Sequence, residues 1–314
     1  MCPSHLVMCG EFLGKDLLTI LLKDSGHSWE KVPFGPRMNA FAKSKHSCKP
    51  LFDFATPLSM ERESELEIAF EQFHKDKMHF QDNGLSAIRH EEVKTLKGSN
   101  WLNDSVINLC FDALQVRDKL RTSELFEDRT IVTKNCFMKT YFAQLLLSGV
   151  HEHQSLMDAS RKHDIFNQDR LFFPVNVDNN HWVLVVVFVQ ERIITVFDSL
   201  HDKNKLHGEP RKHENLLLLF FHFLCNEHRS RTNGMPLEGE WTLHAQPPRW
   251  TPTQNNGDDC GVYICMFADL LSLGCVLDFQ PDQAVNYRKM LALNIFNNTV
   301  TENYNPQRLS LIHI

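Results

Sequence analysis

The chain has 314 residues, 42% of them hydrophobic and 23% charged, and its 33 Lys and Arg against 39 Asp and Glu give a net charge of −6. This composition is typical of a globular protein with one large or two small domains, and the acidic balance argues against a nucleic-acid partner. The longest apolar runs, 182–189 and 216–225, fall short of the roughly 20 residues that a membrane span needs. We therefore expect no membrane partner, and the N-terminal pattern indicates no signal peptide.

The cysteine and histidine content bears on redox state and metals. Nine cysteines, odd in number and scattered, do not form a disulfide framework pattern, and the 17 histidines lack zinc-site spacing with cysteine. We expect no metal and no cofactor, and a reducing compartment, nuclear or cytoplasmic.

The chain divides into three parts by pattern. Residues 1–58 mix short apolar patches with Pro, Gly and basic residues and predict a poorly ordered extension. Residues 59–305 carry regular periodicity and predict a folded domain. The tail 306–314 ends in the apolar "LSLIHI" and is interpreted as an appendage or an assembly artefact.

The first part of the domain is predicted to be helical. Apolar residues recur at helical spacing over 59–78 and 103–116, and the run 134–149 predicts a third helix ended by Gly149. Asn103 or Asp104 is placed to cap the second helix.

The middle of the domain changes to a strand pattern. Residues 170–177, 181–189 and 193–199 predict strands, the last two joined as a hairpin by the polar turn "QER". The remaining pattern predicts a buried helix, a strand with a loop, and two further helices, at 215–224, 239–248, 259–274 and 284–298. Helices, then strands, then helices indicate an α+β fold.

Cys260 is the candidate nucleophile. It lies where a loop enters a helix, and there the unpaired amides and the helix dipole lower a thiol pKa. Its own N–H and that of Gly261 could face a developing oxyanion. An inert core thiol is the commoner state of a single cysteine. Cys265 lacks the helix-terminus environment, and Cys110 and Cys136 fit apolar helical patterns.

His181 and Asp198 are the candidate base and its orienting carboxylate. If the hairpin turn centres on Gln190 and Glu191, His181 lies opposite residue 200, within side-chain reach of Asp198. A solvent-exposed strand-end histidine and a turn-capping aspartate remain the alternative interpretation.

Three further side chains complete the candidate site. The amide of Gln254, six residues before Cys260, is placed to donate to an oxyanion, the alternative being an ordinary loop residue. Trp101 and Trp182 could form the walls of a narrow slot that admits only residues without side chains, the alternative being core packing.

Four motifs resemble one protein family. "WLND" (101–104), "NNHW" (179–182), "FDS" (197–199) and "QNNGDDCGVYIC" (254–265) occur in the order and spacing of the SUMO-specific cysteine proteases, also called sentrin-specific or ubiquitin-like-protein proteases. The resemblance covers about residues 60 to 300. It implies a papain-like-superfamily fold, with a mixed, mostly antiparallel sheet flanked by helices.

The resemblance also implies roles. Cys260 would be the nucleophile, His181 the base and later acid, Asp198 its orienter and Gln254 the oxyanion donor. Trp101 and Trp182 would flank a tunnel for the modifier's C-terminal Gly-Gly, with Asp104 near the modifier-binding face. The partners would be SUMO or a related modifier and its lysine-conjugated proteins. The reactions would be precursor maturation and isopeptide cleavage. The sequence does not give the oligomeric state, and a monomer is the default expectation.

One position departs from the family pattern. Asp258 stands where relatives more often carry Ser or Tyr, and a second carboxylate beside Asp259 should slightly oppose thiolate formation. Two alternatives stay open: the same chemistry on a Nedd-type modifier, and a non-catalytic module that binds a ubiquitin-like protein.

Overall fold

A mixed six-stranded sheet forms the centre of the computed structural model, which describes residues 21–22, 50–72, 77–79, 85–122, 133–148, 153–200, 213–245, 247 and 250–300. Its strands are β1 Leu21–Leu22, β4 Asn135–Phe137, β5 Arg170–Val177, β6 His181–Phe188, β7 Ile193–Phe197 and β8 Thr242–His244. They run in the order β1-β8-β7-β6-β5-β4. Strands β5, β6 and β7 are antiparallel, and the pairs β4–β5, β7–β8 and β1–β8 are parallel. A separate small hairpin pairs β2 Met78–His79 with β3 Ile88–Arg89.

Helices cover both faces of this sheet. They are α1 Met60–Glu71, α2 His90–Val93, α3 Asp104–Thr122, α4 Thr140–Ser148, α5 His153–His163, α6 Glu214–Arg231, α7 Cys260–Ser272 and α8 Pro281–Phe296. The predicted α+β architecture with a mixed sheet is confirmed. None of the helices in the described part of the chain is long and apolar enough to cross a membrane.

Strand β6 is apolar without interruption, and both of its faces are buried. Leu184 and Val186 pack on one side with residues of α1, α3, α7 and α8, whereas Val183 and Val185 pack on the other side with residues of α4 and α6. Because neighbouring side chains on a strand point to opposite faces, a strand buried on both faces loses the apolar–polar alternation.

The β6–β7 hairpin has the register that the sequence predicts. Leu184 pairs with Phe197 and Phe188 with Ile193, so the turn centres between Gln190 and Glu191. This register brings the start of β6 and the end of β7 to the same edge of the sheet, where the candidate base and carboxylate lie.

Two sequence predictions differ from the structure. The stretch 134–149 is not one helix: Asn135–Phe137 forms β4, which extends the sheet alongside β5, and α4 starts only at Thr140. A short apolar run fits a helix or a buried strand equally well, and here pairing with β5 decides.

The predicted domain boundary at residue 59 also differs from the structure. Leu51, Phe52, Phe54 and Leu58 are buried in the core together with residues of α1 and α7. Burial of four large apolar side chains ties this segment to the domain. Most of 1–49 and the tail 306–314 lie outside the described residues.

Candidate active site

Cys260 is the first residue of α7 and is 3% exposed. Asp259 is the N-cap residue, but its side chain does not cap the helix. The carboxylate instead accepts from Asn256 Nδ2 at 2.7 Å and from Arg288. The first-turn amides therefore remain available beside the thiol, in the positive end of the helix dipole.

His181 and Asp198 form a buried hydrogen bond. His181 Nε2 lies 2.7 Å from Asp198 Oδ1, and because a carboxylate only accepts, the ring donates its Nε2 proton. Asp198 is 1% exposed, and its Oδ1 also accepts from the Leu200 amide at 2.8 Å. The carboxylate thus fixes the tautomer and the orientation of the imidazole.

The Cys260 thiol interacts with the same imidazole. Nδ1 of His181, the nitrogen that Asp198 does not use, has no hydrogen-bond partner at conventional distance among the described residues, and Cys260 acts on this ring as an electrostatic neighbour. Burial alone lowers the pKa of His181, but the hydrogen bond to Asp198 and the interaction with Cys260 outweigh burial and raise this pKa to about 9. An imidazole with this pKa is protonated at neutral pH.

Leu102 connects the two tryptophans, because it follows Trp101 in the chain and accepts a hydrogen bond from Trp182. Trp182 is buried and donates its Nε1 proton to the Leu102 carbonyl at 3.1 Å. Trp101, the residue before Leu102, is 51% exposed. Leu102 in turn packs against Gly261, the neighbour of Cys260. Trp101 and Trp182 are therefore connected to the thiol through one residue.

Replacing Gly261 with alanine is expected to destabilise the protein by about 1–3 kcal/mol, the cost of overpacking a core. A Cβ at this position would lie 2.8 Å from Leu102 Cβ, which is close to the backbone and cannot swing aside. Urea unfolding measures the effect. Gly257→Ala is the matched control, because a Cβ there meets nothing within 4 Å. Equal stability of the two variants would contradict the prediction.

Gln254 lies beside the end of β7. Its backbone N–H donates to the Ser199 carbonyl at 3.0 Å, and its Oε1 accepts from Ser199 Oγ at 2.6 Å. Its Nε2 donates to the Asn256 carbonyl at 2.8 Å. An amide nitrogen has two protons, so this contact leaves one proton for a further acceptor.

Asp104 and Asp258 are the two remaining acidic residues that the sequence singles out. Asp104 is the first residue of α3 and accepts from Gln144 Nε2 at 3.3 Å, while Asn103 caps the helix by accepting from the Val106 amide. Asp258 donates its N–H to Asn256 Oδ1, and its carbonyl accepts from Arg288.

Arg288, on α8, connects the parts of the site and has no signature in the sequence. Its guanidinium donates to Asp259 Oδ1 through Nε at 3.1 Å and Nη2 at 2.6 Å. Its Nη1 donates to the carbonyls of Thr95 and Asn100, at 2.9 and 2.8 Å. One buried arginine therefore holds the residue before Cys260 and the residue before Trp101. Only the tertiary structure brings these distant segments together.

A thiol at a helix start, beside an imidazole whose far nitrogen binds a buried carboxylate, is the arrangement of a cysteine peptidase. Residues 100–301 match the sequence profile of the Ulp1 protease family, C-terminal catalytic domain. The chain belongs to the Ulp1 protease family, and the family predicted from the four motifs is confirmed.

Two sentrin-specific proteases are similar to this chain in sequence. The chain is 26% identical over 210 residues to sentrin-specific protease 2 of Homo sapiens, covering 67% of this chain and 32% of that protein. It is 27% identical over 205 residues to a sentrin-specific protease of Caenorhabditis elegans, covering 65% and 26%. The chain thus spans at most about a third of the length of these relatives.

Two solved structures share the fold. One is the C-terminal Ulp1 protease domain in complex with Smt3, the yeast ortholog of SUMO, with a TM-score of 0.59, 20% identity, and coverage of 78% of this chain and 98% of that one. The other is the Ulp1-like SUMO protease catalytic domain of Chaetomium thermophilum, with a TM-score of 0.60, 21% identity, and coverage of 79% and 93%. The chain therefore has the fold of the Ulp1 protease domain, in agreement with the predicted α+β protease architecture.

Proposed function

We propose that this protein is a thiol protease that cleaves after the C-terminal Gly-Gly of SUMO, both in precursors and in conjugates to lysine. The observation that supports it most is the arrangement of Cys260, His181 and Asp198 at one edge of the sheet, with a 2.7 Å His–Asp hydrogen bond. Family membership and the names of the relatives support SUMO as the modifier.

The chemistry follows from the groups present. The Cys260 thiolate attacks the carbonyl carbon of the terminal glycine, and the His181 imidazolium gives its Nδ1 proton to the departing amine. The C–N bond breaks and a thioester joins glycine to Sγ. His181, now neutral, takes a proton from water, which attacks the thioester carbonyl. The C–S bond breaks, the Cys260 thiolate and the imidazolium are regenerated, and the released glycine acid loses its proton to solvent. Asp198 keeps the imidazole oriented throughout.

Charge that develops on the carbonyl oxygen needs hydrogen-bond donors. The uncapped first-turn amides of Cys260 and Gly261 are candidates, since the Asp259 side chain is engaged with Arg288. The second N–H of Gln254 is the proposed side-chain donor. Removing one such donor typically costs about 10²- to 10³-fold in kcat.

The substrate tail is proposed to lie between the tryptophan-bearing segment and the thiol. The exposed Trp101 ring would cover the Gly-Gly, while Trp182 supports the Leu102 carbonyl from beneath. Asp104 is proposed to lie at the modifier-binding face. A narrow tunnel covered by the Trp101 ring would admit glycine and exclude residues with a side chain.

A panel of trapped adducts tests the proposal. The purified chain is incubated at neutral pH with SUMO and with a Nedd-type modifier, each carrying a C-terminal vinyl sulfone, and the modified residue is located by mass spectrometry. We expect a SUMO adduct on Cys260. An adduct with the Nedd-type modifier alone would overturn the choice of modifier. Absence of any adduct, with retained binding, would indicate a non-catalytic module.

The pH profile of kcat/KM is expected to fall above about pH 9, where the raised pKa of His181 places loss of the imidazolium. Asp198→Asn removes the carboxylate that raises this pKa, so the alkaline limb should move to lower pH. Asp158→Asn, on the exposed surface of α5, is the control. An alkaline limb at the same pH in the Asp198 variant would contradict this assignment.

A further inference from the structure

Asp198 is held by two histidines, one on each oxygen. His181 Nε2 lies 2.7 Å from Oδ1, and His213 Nε2 lies 3.0 Å from Oδ2. His213 is 2% exposed. Because a carboxylate oxygen only accepts, His213 must donate its Nε2 proton.

We propose that His213 is a positioning residue for the proposed peptidase reaction, acting on His181 through Asp198. The chain of contacts then runs Cys260–His181–Asp198–His213. The inference rests on the proposed function, and it concerns how the orienting carboxylate is itself oriented.

The physical reason lies in the freedom of an aspartate side chain. The torsion that turns a carboxylate plane has a broad, two-fold profile, so the side chain alone does not define where Oδ1 points. Donors on both oxygens fix the plane. With Oδ2 held by His213 and Oδ1 by the Leu200 amide, the lone pair of Oδ1 is directed at His181.

His213 is itself firmly placed. It is the N-cap residue of α6, and its carbonyl accepts from the Leu217 amide at 3.0 Å. Leu217 and Phe220, in the next turn, are fully buried against the sheet. A side chain that starts from a packed helix end provides a rigid second contact for the carboxylate, as a preorganised site requires.

The hydrogen bond from His213 also offsets part of the cost of burying the Asp198 carboxylate. An ionised carboxylate at 1% exposure is costly unless its oxygens are hydrogen-bonded. The hydrogen bond from His213 is one of those that compensate for the burial of this carboxylate.

Two variants of equal size separate the hydrogen bond from packing. Methionine and glutamine fill nearly the same volume as each other, but only glutamine places an N–H near the position of Nε2. We expect His213→Met to lower kcat about 10- to 100-fold, the cost of a small misplacement of a catalytic group. KM should change by less than about twofold, because the effect lies in the reacting geometry. His213→Gln should recover most of kcat.

A double-mutant cycle shows whether His213 acts through Asp198. If it does, His213→Met in an Asp198→Ala background should lower kcat by no more than about twofold beyond Asp198→Ala alone, since coupled residues are not additive. His222→Met, on the same helix, is the control and should leave kcat unchanged. Thermal unfolding of each variant shows whether it is folded.

The outcomes are distinct. Equal kcat for the methionine and glutamine variants, or additive losses in the cycle, would assign His213 to packing and overturn the inference. Either result leaves the proposed function intact as long as the unaltered protein forms the Cys260 adduct with SUMO. If the methionine variant does not fold, the comparison of His213→Asn with His213→Gln decides, because the shorter amide does not reach Oδ2 and should be less active.

Discussion

Cys260→Ala is expected to reduce hydrolysis of a SUMO precursor by at least about 10⁴-fold, as removal of a triad member does in a comparable peptidase. The thiol is the atom proposed to form the acyl-enzyme, and no other described cysteine lies at a helix start beside an imidazole. Initial rates of tail cleavage measure the loss. Cys275→Ala, half-buried and beyond the end of α7, is the control and should retain activity.

Binding separates chemistry from recognition in the same variant. Removing one buried sulfur leaves the proposed tail site and its tryptophans in place, so the affinity for mature SUMO should stay within about threefold of the unaltered protein. Hydrolysis that persists in the alanine variant would contradict the role of Cys260. Loss of both binding and activity would show a structural effect instead.

The hairpin that holds His181 and Asp198 was predictable because local rules determine it. A polar turn between two apolar runs sets the register, and one register fixes which strand ends meet. The sequence therefore predicts the contact between the two side chains before any tertiary packing is known. The start of α7 at Cys260 is predictable in the same way, from a polar loop that meets an apolar run.

Other parts depend on partners far away in the sequence. The segment 135–137 becomes a strand only because β5 lies beside it. The segment 51–58 belongs to the core because it contacts α7 and α8. Arg288 and His213 likewise look like ordinary polar residues of helical stretches. Their contacts with Asp259 and Asp198 join positions 29 and 15 residues apart. No local period encodes such pairs.

The two helices next to the site are held together by a buried ion pair. Leu102, just before α3, packs on Gly261 at the start of α7, and further along Arg117 of α3 pairs with Asp269 of α7. Both side chains are fully buried. Arg117 also donates to Ser272 Oγ, and Asp269 Oδ2 accepts from the Leu51 amide at 2.8 Å. The pair thus joins α3, α7 and the segment before α1.

Arg117→Met is expected to lower the free energy of unfolding by about 3–5 kcal/mol, because removing one partner of a buried ion pair leaves the other charge uncompensated. For a domain of this size the melting temperature should fall by roughly 10 °C. Thermal and urea unfolding measure both quantities. Arg161→Met is the matched control: its pair with Asp158 is exposed, and such pairs contribute about 0–1 kcal/mol.

A second substitution distinguishes the unpaired charge from the lost packing. Asp269→Asn keeps an oxygen for the Leu51 amide but carries no charge, so the combination Arg117→Met with Asp269→Asn should recover part of the lost stability. If the double variant is as unstable as the sum of the two single variants, packing of the arginine stem and not the charge would account for the loss. Because α7 begins at Cys260, the rate of alkylation of this thiol reports how firmly the helix is held. The double variant should also recover part of the unaltered protein's alkylation behaviour.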